Sequence, residues 1–214
     1  MHAGETAMSI IDEMREWMRD RKLRRMLAEE DASARKLQEV VEAIIDRARR
    51  SEEAGVRKDK VLFAFESDFE QISDRIARLR ESGDKETYRD LYARLYAFAE
   101  ERMADSYMPM YLFIMYRYAN ALLETGGEAA AAAQMFEKLR AGTERLIGIR
   151  NTYGLHCLER VTAAAVQSGQ PEKALEALEE MKEISAAEFG PHSAAALAVR
   201  RIEERIKKEI EATW

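Results

Sequence analysis

Apolar residues recur at spacings of three and four along nearly the whole chain, a period that predicts amphipathic helices and not strands. The first helix is predicted over about 9–29. Ser9 followed by Asp12 reads as a capping box there, and Ile10, Met14, Trp17 and Met18 form the stripe expected to be buried. A second helix over about 33–50 puts Leu37, Val40, Val41, Ile44 and Ile45 on one side, and polar 51–58, with Gly55, reads as a loop. A third over about 59–82 uses Leu62, Phe65, Phe69, Ile72, Ile76 and Leu79. A fourth over about 85–104 carries Tyr88, Leu91, Tyr92, Leu95, Tyr96 and Phe98.

Beyond residue 108 the punctuation sharpens. Pro109, Pro171 and Pro191 each stand where a helix should begin, the position at which a missing N–H costs nothing. They predict helices over 109–125, 171–188 and from Pro191 to about 211. Between them lie a helix over 128–146 and another that Asn151 caps and that runs to Ser168. Gly126, Gly127, Gly148, Gly169 and Gly190 fall in the gaps. Nine helices on short loops make either an αα-hairpin array or a bundle.

Self-similarity decides between the two. Gly83, Gly127 and Gly169 stand 44 and 42 residues apart. Five and nine residues after the last two come Ala132 and Phe136, then Ala174 and Leu178. A tight turn between helices needs a small residue where the axes approach and a larger one where the gap widens. Each such pair leaves an apolar face open, so pairs must stack.

This pattern resembles the tetratricopeptide repeat (TPR). The stretch Val166-Gln-Ser-Gly-Gln-Pro-Glu-Lys-Ala-Leu-Glu-Ala-Leu-Glu-Glu-Met181 is typical of it. The link Glu188-Phe-Gly-Pro-His-Ser-Ala-Ala-Ala-Leu197 is similar to linkers of the longer, 42-residue variety found in kinesin light chains and many bacterial proteins. The resemblance covers about 60–211, is strongest over 110–197 and is absent from 1–57. It implies an all-α fold: a TPR-like right-handed superhelix of αα-hairpins with a C-terminal capping helix. The domain organisation expected is an N-terminal helical pair, 1–57, packed on a repeat domain, 58–214. Tyr88 departs from the pattern, standing where the family has a small residue.

Composition narrows the chemistry. The chain has 214 residues, 47% apolar and 35% charged, with 34 Lys+Arg against 40 Asp+Glu for a net charge of −6. That balance argues against a general nucleic-acid binder. No apolar run approaches the length of a membrane span. The single cysteine, Cys157, excludes an internal disulfide framework and weakly favours the cytoplasm. His2, His156 and His192 stand in no metal-ligand spacing, and there is no phosphate loop or nucleophile elbow. No enzyme activity, cofactor, metal, nucleic acid or membrane partner is expected.

Three features could carry recognition. Tyr88, Tyr92 and Tyr96 form a helical stripe, followed by Tyr111, Tyr116 and Tyr118, which reads either as core or as an amphipathic groove. Arg19, Arg21, Lys22, Arg24 and Arg25 form a basic cluster that reads as a solvated helix end, its charges spread round the helix. The third follows from the resemblance, which implies a concave binding face lined by the first helix of each pair. Phe113, Tyr116, Arg117 and Asn120 should share that face, with Arg160 one repeat on and Arg200 and Arg201 at its far end. Some family members hold a ligand's C-terminal carboxylate there. Asn120 and Arg201 match that arrangement, whereas Tyr116 and Arg160 replace the family's Lys and Asn.

The function implied is a non-catalytic scaffold that binds a protein or peptide, with an acidic or C-terminal carboxylate segment as the fitting ligand. The competing readings are a self-associating structural subunit and a small-molecule or peptide sensor with a Tyr/Met-rich pocket.

Overall fold

A computed structural model describes residues 10–28, 33–105 and 108–213, apart from the side chains of 10–15, 108 and 213. Among the described residues there are nine α-helices and no strand. They are α1 Ile10–Ala28, α2 Ala34–Glu53, α3 Lys58–Glu81, α4 Lys85–Met103, α5 Met108–Thr125, α6 Ala129–Ile147, α7 Thr152–Gln167, α8 Pro171–Phe189 and α9 Ala194–Thr213. The chain divides into two compact units, 1–95 and 96–214, with α4 contributing residues to both.

In the first unit α2 packs on α3, and α1 lies against both. Leu37, Val40, Val41, Ile44 and Ile45 of α2 meet Val61, Leu62, Phe65, Phe69, Ile72 and Ile76 of α3 in a buried seam. Tyr88 and Tyr92 of α4 are buried edge to face, their ring centroids 5.1 Å apart. Polar groups share this interior. Asp68, 5% exposed, pairs with Arg47, which also donates to the Ala64 carbonyl. Arg75, equally buried, donates to the carbonyls of Met26 and Leu27 at 3.2 and 3.4 Å, satisfying open acceptors in the last turn of α1.

The first helix departs from the sequence reading. Trp17 and Met18 are 56% and 52% exposed, whereas Leu23 and Leu27 are buried. Its neighbours take the face that carries Leu23 and Leu27, about a quarter to a third of a turn round the helix from Trp17. Ser9 and the side chains of Ile10 and Met14 lie outside the described residues. The segment expected to be a loop from residue 51 is helical to Glu53, and the turn is confined to 54–57.

In the second unit consecutive helices pack antiparallel in sequence order: α5 on α6, α6 on α7, α7 on α8 and α8 on α9, with α9 also touching α7. The small residues expected at crossing points, Ala132 and Ala174, are fully buried, with Phe136 and Leu178 buried one turn on. At Gly169, φ is +72°, and the Gln170 N–H donates to the Ala165 carbonyl at 2.8 Å, the closing bond of a Schellman turn. Asn151 caps α7 as predicted, accepting from the Gly154 N–H at 3.0 Å. Pro171 opens α8, and Pro109 is the second residue of α5. Pro191 does not open a helix. It lies in the turn before α9, and Ser193 caps that helix by accepting from the Ala196 N–H at 3.1 Å.

Gly154 has a steric reason that the repeat pattern does not reveal. A Cβ there would stand 1.8 Å from the Ile149 carbonyl oxygen, so the first turn of α7 closes on that backbone only without a side chain.

Candidate functional site

The candidate face is shared by α5, α7 and α9, the first helices of the second unit's pairs and its terminal helix. Tyr116 leaves α5 towards α7, its hydroxyl 2.7 Å from His156 Nε2 and its ring centroid 5.6 Å from the imidazole. Phe136 of α6 meets the same tyrosine edge-on at 6.5 Å. His156 Nδ1 lies 3.5 Å from Glu159, one turn further along α7, and Glu159 in turn lies 3.4 Å from Arg205 of α9. A continuous polar line therefore crosses three helices. The carboxylate beside Nδ1 favours a proton there, which leaves Nε2 to accept from the Tyr116 hydroxyl. The hydrogen bond from His156, with Arg160 and Arg205 nearby, holds the Glu159 carboxyl below the usual range, although partial burial opposes this.

The other predicted residues distribute unevenly about that line. Phe113 is 41% exposed, and the Arg117 guanidinium sits 5.1 Å over its ring. Arg117 and Arg160 are half-buried on α5 and α7, and among the described residues their Nε–H groups are covered without a hydrogen-bond partner. Asn120 does not offer its amide to the surface. It is 7% exposed and donates to the Tyr116 carbonyl on its own helix at 2.7 Å. Arg201 is exposed four residues before Arg205 and so shares its side of α9. Arg200 turns away and donates to the Pro191 carbonyl at 3.0 Å.

Three participants escape the sequence reading: His156, Glu159 and Arg205. The available signal is spacing, since His156 follows Tyr116 by 40 residues, close to one repeat, and Glu159 follows it by three. Its neighbour Cys157 points the other way, buried with its thiol 4.0 Å from the Phe136 carbonyl, and burial pushes the thiol up to about 12. The tyrosine stripe is core. Tyr88, Tyr92, Tyr96 and Tyr111 are buried, and in the second unit Tyr96 packs against the rings of Tyr111 and Tyr118 at 6.0 and 5.4 Å.

A separate cleft lies away from this face. It encloses about 910 Å³ in the first unit beside α1 and α2, lined by Arg19, Lys22, Glu39, Glu42, Asp46 and Arg94 among others. Arg94 pairs with Glu42 across it, and Arg35 with Glu39. Opposite charges that already neutralise one another leave little to attract a ligand of either sign. Among the described residues no three His, Cys, Asp or Glu side chains come together as metal ligands would.

No protein-family model and no curated protein sequence matches the chain. Among solved structures it is similar to a crystal structure of nearly identical TPR-like repeats assigned to a kinesin light chain of Podosopora anserina. The identity is 16% and the TM-score 0.60, covering 93% of this chain and 88% of that one. A point variant of the same repeats aligns at 16% identity and a TM-score of 0.46, covering 82% of this chain and 96% of that one. The first likeness, with the helix order above, shows the fold: an all-α array of TPR-like αα-hairpins.

Proposed function

We propose that this TPR-like array is a non-catalytic scaffold that binds a protein or peptide across the face of α5, α7 and α9. Stacked helical repeats present extended surfaces of this kind, and protein interaction is their usual use. The observation that carries the reading is the polar line Tyr116–His156–Glu159–Arg205, flanked by Arg117 and Arg160 in a chain whose net charge is −6. Phe113 and Tyr116 supply aromatic area, and the arginines supply local positive charge on a chain that is acidic as a whole. The fitting ligand is an extended segment with acidic side chains or a free C-terminal carboxylate, engaged by Arg117, Arg160 and Arg201. Asn120 would support Tyr116 from within the helix instead of touching the ligand. We further propose that 1–57 is a helical pair flanking a repeat domain of 58–214, a division supported by the repeat spacing.

A peptide array with acidic, C-terminal carboxylate and neutral sequences tests the reading. Binding should concentrate on the anionic peptides and fall at least about tenfold in Arg117→Glu/Arg160→Glu. Equal binding of neutral peptides, or an unaffected double variant, would remove this face from consideration. Self-association is the second reading, and sedimentation at several concentrations addresses it. A concentration-dependent dimer that Tyr116→Ala dissolves would put a second copy on the same face.

A further inference from the structure

The basic cluster of the first helix reads in the sequence as charges spread round the circumference, and the structure gives it a different arrangement. At about 100° per residue, Arg24, Trp17, Arg21, Arg25, Met18 and Lys22 follow one another round about 160° of α1. All six are exposed. The opposite side carries Leu23 and Leu27, which are buried. The acids belong to the inner side too. Glu16 pairs with Arg50 of α2, and Asp20 lies close enough to the buried Asp68 to act on it electrostatically. The outer face thus carries four cations and two large apolar side chains, and none of its described members is an acid. Arg21 stands over the Trp17 ring at 5.2 Å, so cation and aromatic are already juxtaposed.

We propose that this outer face of α1 docks on an anionic lipid surface. Charge complementarity selects a polyanion, because the described residues of the patch include four cations and no acid on a chain of net −6. Trp17 and Met18 select among polyanions. A bilayer interface accepts an indole and a thioether between headgroups, whereas the phosphates of a nucleic-acid duplex offer a methionine nothing. The docking is peripheral, since no helix among the described residues is long and apolar enough to cross a membrane. It departs from the expectation that no membrane is a partner. That expectation rests on the absence of a spanning segment and on a cluster without a single face. The proposal stands apart from the α5–α7–α9 face and does not depend on it.

The test uses the full chain with vesicles of phosphatidylcholine containing about 30 mol% phosphatidylserine, and with phosphatidylcholine alone. Trp214→Phe leaves Trp17 as the only tryptophan and hence a local reporter. The expected result is sedimentation with the anionic vesicles only, a blue shift of Trp17 emission, and release by about 0.5 M salt. Arg21→Glu/Arg24→Glu, whose positions touch no buried seam, should weaken binding at least about tenfold with an unchanged melting temperature. Failure to sediment, or binding that ignores the charge reversal, overturns the proposal. Tighter binding to a duplex DNA of equal charge, with no shift of Trp17, would identify nucleic acid instead. A concentration-dependent dimer lost in Trp17→Ser would identify a second copy.

Discussion

Asp68 and Glu159 are both helical carboxylates beside an arginine, and their surroundings act on them in opposite directions. Asp68 sits inside the first unit against Arg47. Loss of water dominates there, so its carboxyl is pushed above the ordinary range, with Asp20 adding to the effect and Arg47 opposing it. Glu159 lies half-buried on α7 in the second unit, where the hydrogen bond from His156 outweighs burial and holds it low. A neighbouring arginine therefore does not fix a carboxylate's behaviour; what decides is how much water the pair retains. The two units differ in the same way. The second is held by apolar side chains meeting at alanine crossings, whereas the first folds charged groups into its interior.

The largest expected effect breaks the buried pair. Arg47→Met strands Asp68 without its cation and should cost about 3–5 kcal/mol in urea unfolding. Arg47→Met with Asp68→Leu should recover most of that loss, because an apolar pair of similar volume avoids desolvating either charge. If the double variant is no better than the single, the pair is needed for more than mutual neutralisation. At the surface the corresponding change is mild: Glu159→Gln should cost less than about 1 kcal/mol.

The steric character of the second unit predicts the next effect. Ala174 is fully buried at the α7–α8 crossing, so Ala174→Leu should overpack it and cost about 1–3 kcal/mol in the same assay. A neutral substitution would mean that the two helices are free to separate there.

Acidity sharpens the comparison. A carboxyl raised on folding contributes stability that is complete below its unfolded pKa and is lost as pH rises through the folded value. Asp68 is such a group. A carboxyl lowered on folding contributes stability above its unfolded pKa that is lost as pH falls through the folded value, and Glu159 is such a group. As pH falls from neutral into the carboxylate range, the stability difference between wild type and Asp68→Asn should grow. The difference between wild type and Glu159→Gln should shrink. Parallel urea titrations at several pH values measure both, and slopes of the same sign would contradict the assignment.

The contrast also explains what is legible in the sequence. The repeat half can be read closely because its determinants are local and steric: Gly169 at a positive φ, Ala132 and Ala174 at crossings, Asn151 as a cap. The first helix cannot be read in this way. Periodicity shows that α1 has an apolar side at Trp17 and Met18, but burial follows Leu23 and Leu27, where Arg75 reaches the last turn of the helix from 48 residues away. The candidate face is legible in part. Repeat spacing names Tyr116, Arg117 and Arg160, which stand half-buried on α5 and α7. It passes over His156, because a lone histidine next to a cysteine matches no motif. It does not show that the Asn120 amide turns back onto its own helix, because nothing local signals it.

The smallest expected effect concerns that face directly. Tyr116→Phe removes only the hydroxyl that meets His156 Nε2, and the ring keeps its edge contact with Phe136. A single hydrogen bond contributes about 0.5–1.5 kcal/mol, and exposure places this one at the low end, so the melting temperature should barely move. The imidazole should respond instead. The Tyr116 hydroxyl lies 2.7 Å from Nε2 and Glu159 lies 3.5 Å from Nδ1, a pair of neighbours that favours the neutral ring with its proton on Nδ1. Without the hydroxyl, the hold on that tautomer relaxes, and the His156 ring nitrogen shifts should move towards a mixture of the two forms. In Glu159→Gln the same shifts should move further, because the group that fixes the proton on Nδ1 has lost its charge. Ring nitrogen NMR at neutral pH on the three proteins measures the order. Wild-type shifts in all three would mean that the line across α5, α7 and α9 is not formed in solution, and the case for that face as a binding surface would fall with it.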